Sequence, residues 1–113
     1  MTTNKTYLPL LIQGIKASSD LEQNRFVGFD GNYCGAGEKA LGVVDVSTDK
    51  DQLCPYAAFG ILLVIAGDTV AVGDAVTSDE NGKAVTATAN DKINGYSLDS
   101  GVAGQEIRII RGI

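Results

Sequence analysis

The chain has 113 residues, of which 44% are apolar and 20% charged, enough for one folded domain and too apolar for a disordered tail. Its net charge of −5, with nine Lys and Arg spread thinly, leaves no basic stripe to neutralise a phosphate backbone, so nucleic acid is not an expected partner. Histidine is absent and Cys34 and Cys54 are the only thiols, which rules out a zinc site of four cysteines, or of paired cysteines and histidines, and takes away the usual base of a Ser or Cys nucleophile.

The first twenty residues, "MTTNKTYLPLLIQGIKASSD", place an apolar patch between polar ends without a turn to fold it back. Pro9, Gln13 and Gly14 interrupt the patch, and neither a basic leader nor a small-residue cleavage site frames it, so it reads as mature protein and not as a signal peptide. It is also too short to span a bilayer, and no membrane partner is expected. The expectation is an extended N-terminal arm over residues 1–20, ahead of a domain over 21–113. Ser19 and Glu22 have capping-box spacing, but no apolar helical face follows, which limits helix there to one turn.

From Arg25 onward, short apolar runs alternate with Gly, Asn and Asp. Strands are predicted over 25–30, 40–45, 57–65, 74–78, 83–87, 93–98 and 105–110. Ile107 and Ile109 alternate with Glu106 and Arg108, as a half-buried strand requires. Residues 57–65 are nearly all apolar, which makes them the most buried strand, with Gly60 permitting a bend or bulge. Seven strands and no convincing helix define an all-β domain, most simply a small barrel that removes exposed edges.

An internal echo runs through the strands. "FVGFDGNYCGAGEKALGVVD" and "AVTSDENGKAVTATANDKINGYSLD" share an order of strand, Asp, Gly turn and second segment, matching Asp30, Gly31, Gly42 and Asp45 with Asp79, Gly82, Gly95 and Asp99. Two similar hairpin units within one barrel are expected.

The acidic glycine-rich corners are weak candidates for chemistry. Read as a calcium loop with Gly82 at its sixth position, "TSDENG" puts Thr77 and Thr88 where the two end ligands belong. A hairpin turn with positive φ at Asn81 and Gly82 is the simpler reading. Read as a phosphate loop, Gly82-Lys83 lacks the first Gly, replaced by Thr77, and the hydroxyl, replaced by Ala84. Gly67-Asp68 and Gly73-Asp74 resemble corners of barrels that carry a lysine-linked cofactor, but Lys83 has no exposed tip of the required kind, so each Asp is expected to accept a local backbone N–H. Acidic pairs such as Asp49 with Asp51 or Asp79 with Glu80 fall in solvated turns. Catalytic, metal and cofactor-binding residues are therefore expected to be none. Cys34 and Cys54 read as buried free thiols, with a bond between them left open.

Taken in order, "RFVGFDGNYCGAGEKALGVVD" and "AGDTVAVGDAVTSDENGKAVTATANDKINGYSLDSGVAGQEIRIIRGI" resemble the capsid cement or head decoration proteins of tailed bacteriophages over residues 21–113. The resemblance rests on the succession Gly-Asp, valine-rich strand, "SDENGKAV", "INGYSLD", a small-residue turn ending in Gly104 and a closing alternating strand. It implies a small compact β-barrel, a β-tulip-like rolled sheet. It also implies a homotrimer on the outer surface of the virion, made in the host bacterial cytoplasm, that stabilises the expanded head by bridging capsomers of the major capsid protein. It brings no catalytic, cofactor or metal residues. The arm exceeds the short starts of that family, so the attachment residues are expected within it: Thr2, Thr3, Tyr7, Leu8, Pro9, Leu10, Leu11 and Ile12, lying on a capsid subunit or an adjacent protomer. The alternative is a glycan- or host-binding β-module on the virion or cell surface, against which stand the absence of Trp and a total of only seven Phe and Tyr.

Overall fold

The computed structural model describes residues 8–112. Eight strands follow in chain order: β1 (Leu8–Lys16), β2 (Phe26–Val27), β3 (Gly42–Val44), β4 (Leu53–Ile65), β5 (Ala75–Ser78), β6 (Ala84–Thr86), β7 (Gly95–Ser97) and β8 (Glu106–Arg111). No helix occurs among the described residues. The seven runs predicted as strands are β2 to β8, with β4 starting four residues earlier, at Leu53, than the apolar run suggests. The described part of the arm is a strand as well.

All pairings are antiparallel, and the sheet runs β2-β3-β4-β8-β7-β5-β6 with β1 added along β4. Its two ends approach each other: Phe26 N–H donates to the Gly82 carbonyl at 2.7 Å, Gly37 N–H donates to the Ser78 carbonyl at 2.9 Å, and Ala66 bridges Ala84. The sheet is thereby nearly closed into a barrel, which satisfies edge groups that would otherwise invite foreign strands.

β8 shows the expected alternation, with Ile107 and Ile109 buried and Ile110 exposed. Ile107 and Ile109 meet Leu62 and Val64 of β4, with Phe26, Val43, Ala57, Val70 and Val76 completing the barrel core. A second cluster lies on the opposite face of β2 and β3, where Val27, Val44 and Cys54 are covered by Ala17 and Leu21, with Ile15 packed against them. This explains how strands of two and three residues can be apolar throughout: each has both faces covered.

The bend expected at Gly60 is a pair of offsetting bulges. Along β1, Leu11 pairs with Phe59 and Ile12 with Ala57, so β4 carries one extra residue at Ala58, while β1 carries one between Pro9 and Leu11. Gly60 has φ +117, a value side chains resist. The extra residue inverts the inward parity of β4, so that Ala57 faces the barrel core before the bulge and Leu62 and Val64 face it afterwards.

The internal echo is structural. Val27 pairs with Gly42 in the first unit as Val76 pairs with Gly95 in the second, and β4 and β8 follow as the outer partners of β3 and β7. β4 and β8 then pair with each other, joining the two units at the middle of the sheet. Gly42 is required by packing, since a Cβ there would stand 2.5 Å from the Ala57 carbonyl oxygen.

Candidate functional site

The corners turn the chain by local hydrogen bonding. Asp79 Oδ1 accepts the N–H groups of Asn81 and Lys83 at 2.8 and 2.9 Å. Of the two residues expected at positive φ only Gly82 has it, at +75; with the Asp79 carboxylate holding the backbone of Asn81, one left-handed residue suffices. Asp68 accepts the Thr69 N–H at 2.7 Å and Asp74 that of Ala71 at 3.0 Å. Asp30 accepts from the backbone and side chain of Asn32, which holds its carboxyl below the usual range. Among the described residues no group of three or more Cys, Asp or Glu is placed to hold a metal ion. A shallow depression of about 330 Å³ between the loops around Val70 and Gly101 is lined by small, uncharged side chains.

Cys34 and Cys54 are free and buried, each in a different cluster. Burial raises the Cys34 thiol above its ordinary pKa, so it is neither an activated nucleophile nor a ready ligand.

No pattern in the sequence marks the polar cluster inside the barrel. Arg111 takes the inward position after Ile107 and Ile109, is 2% exposed, and donates through Nη2 to the Ala40 carbonyl. Its Nε and Nη1 have no partner among the described residues, and burial pushes its pKa down to about 10. Asn94, 1% exposed, accepts from Ala40 N–H and donates to the Glu38 carbonyl, both at 2.8 Å. Both side chains pin residues 38–40 from within, a task of scaffolding.

What faces outward is adhesive. Of the expected attachment residues, Thr2, Thr3 and Tyr7 lie outside the described residues. Leu8 to Ile12 belong to β1, with Leu8 at 55% and Ile12 at 47% exposure and Pro9 half-buried; the backbone of Leu10 and Leu11 continues the strand. The pairing register adds a feature invisible in sequence. Leu8 is opposite Ile61, Ile61 opposite Ile110, Ile110 opposite Tyr96 and Tyr96 opposite Ala75. Directly opposed residues share a face, so these five form one apolar row across five strands, with Tyr96 and Ile110 each 49% exposed.

A rolled antiparallel sheet with a rigid polar lock inside and apolar side chains outside defines a binding module of structural type. The chain belongs to the phage cement protein family, whose sequence pattern it matches over residues 11–112. Among solved structures it is similar to the N base of head fiber gp8.5 of bacteriophage phi29, with 22% identity and a TM-score of 0.76, over 90% of this chain and 93% of that one. That likeness bears out the all-β fold, and the family assignment bears out the resemblance and a structural role in the phage capsid. No curated protein sequence matches the chain.

Proposed function

We propose that this protein binds the outer surface of the phage head as a homotrimer and stabilises the expanded shell by bridging neighbouring capsomers of the major capsid protein. Membership of the phage cement protein family carries this reading. The physical basis is additive adhesion: a DNA-filled shell is under outward pressure, and each bridging copy adds contacts that must break before capsomers separate. Linked copies raise avidity by ~10² to 10⁴ over one, provided all engage together. The arm residues Thr2, Thr3, Tyr7, Leu8, Pro9, Leu10, Leu11 and Ile12 lie on a capsid subunit or an adjacent protomer. The exposure of Leu8 and Ile12 in a strand with β4 as its paired neighbour supports that role.

The test adds the purified chain to expanded heads lacking it and measures bound copies by image reconstruction and DNA release on heating. Saturable binding at symmetry-related sites with delayed release is the expected result. Removal of residues 2–7 combined with Leu8→Asp is expected to lower occupancy. Heads that bind no protein, alongside specific glycan binding by the free chain, would overturn the capsid reading in favour of a host-binding module.

A further inference from the structure

The two structural units differ in what covers their outward faces. In the first, the outward residues Val27, Val44 and Cys54 are at most 1% exposed, because the chain's own Ile15, Ala17 and Leu21 lie over them. In the second, the outward residues Tyr96 and Ile110 are 49% exposed and lead, through Ile61, to Leu8. One half of the sheet is thus roofed by an N-terminal segment and the other is bare.

The dimensions of the bare row select its occupant. Five strands at about 4.8 Å spacing give a length of roughly 19 Å, one side chain wide. A stable face-to-face dimer needs about 800 Å² from each partner, several times what this row offers. An extended segment matches it in both length and width. Charge points the same way. Lys5 and Lys16 are the only charged residues among residues 1–16, while all fourteen acidic residues lie beyond them, so a segment of charge +2 precedes a body of charge −7.

We infer that the row Ala75–Tyr96–Ile110–Ile61 is covered by the N-terminal strand β1 of a second copy of this chain, in a head-to-tail contact. The inference rests on reading the chain as a multi-copy capsid component, and it identifies the adjacent protomer as what the described part of the arm touches. β1 of one copy presents Ile12 and Leu8 to the neighbour's row, as Ile15, Ala17 and Leu21 roof the first unit within a chain. A head-to-tail arrangement follows from charge, since setting two β1 strands together would oppose cation to cation and leave the acidic bodies unmatched. Such contacts close into a ring when the rotation allows.

The test is sedimentation equilibrium on the full chain from ~1 to ~100 μM, at low and high salt, a range that brackets the affinity of a small, charge-assisted contact. Association is expected, at least about tenfold weaker in high salt. Ile12→Asp places an acid in the acid-free strand and Ile110→Asp places one mid-row; each is expected to give monomers with unchanged circular dichroism. Val72→Asp, at a site 64% exposed and outside the row, is expected to leave association intact. Mixing the Ile12→Asp and Ile110→Asp variants is expected to restore a dimer, because one supplies an intact row and the other an intact β1. A monomeric wild-type chain, no dimer in the mixture, or disruption by Val72→Asp with both row and strand variants still associating would each overturn the inference. A chain that decorates heads while remaining monomeric refutes this contact alone, whereas one that associates but never binds heads refutes the capsid reading alone.

Discussion

Replacing Arg111 with Met is expected to leave the protein as stable as before or slightly more stable. The guanidinium is 2% exposed, and burial lowers its pKa from 12.5 to about 10, which corresponds to a cost of ~3 kcal/mol for keeping the charge inside. Met keeps an unbranched apolar stem of similar reach and removes that cost. It also strips the Ala40 carbonyl of its donor, a loss of about 1 to 3 kcal/mol for a buried acceptor. The net gain is then roughly 0 to 2 kcal/mol, or up to several degrees in Tm. The pH dependence has a definite sign. Because the folded pKa lies below the unfolded one, the unfolded chain binds the extra proton between about pH 10 and 12.5, so the penalty is complete below about 10 and fades as pH rises through that window. Urea titrations of wild type and variant at about pH 7 and about pH 10.5 measure this, with the advantage of Met expected to shrink at the higher pH and m to stay constant. A variant destabilised by more than about 2 kcal/mol at neutral pH would refute the reasoning, since it would mean that the buried cation is well paired.

Asn94→Ala removes both hydrogen bonds that hold residues 38–40 and strands two buried backbone groups, so a loss of about 2 to 4 kcal/mol is expected in the same titrations. Gly42→Ala is expected to cost more than Gly73→Ala: the first drives a Cβ to 2.5 Å from the Ala57 carbonyl oxygen, whereas the second meets nothing within 4 Å and bears only the strain of φ +86, about 1 kcal/mol. Thermal melts of the pair decide this, and equal losses would contradict the packing argument. Both thiols are expected to resist a water-soluble disulfide reagent at about pH 8 in the native protein and to react in full on denaturation; rapid native labelling of Cys34 would show the core around it to be open.

Most of the fold was legible because its signals are local. Alternation announced β8, the apolar run announced β4, and Asp-Gly punctuation marked the corners that Asp79 and Asp30 close with their own carboxylates. The two-residue β2 was found only as part of a longer run, since its apolar residues serve two cores and show no period. β1 was read as an arm because Pro9 and Gly14 break its pattern and its partner β4 lies about forty residues downstream, beyond the reach of local rules. The inward place of Arg111 was hidden for a different reason. Parity alone assigns that position to the interior, yet the charge argues for the surface, and only the carbonyl of Ala40, placed by tertiary folding, resolves the conflict.

The bulge at Ala58 links the fold to the adhesive face. The two units share their pairing, so a regular β4 would give both the same inward and outward residues. One extra residue inverts the parity of the first half, sending Phe26, Val43 and Ala57 into the barrel and turning Val27, Val44 and Cys54 outward, where Ile15, Ala17 and Leu21 cover them. The second half has no such inversion, so the residues equivalent to Phe26, Val43 and Ala57, namely Ala75, Tyr96 and Ile110, remain outside. The two units are thereby differentiated by one inserted residue: the first buries its apolar positions within the chain, and the second keeps them free for another.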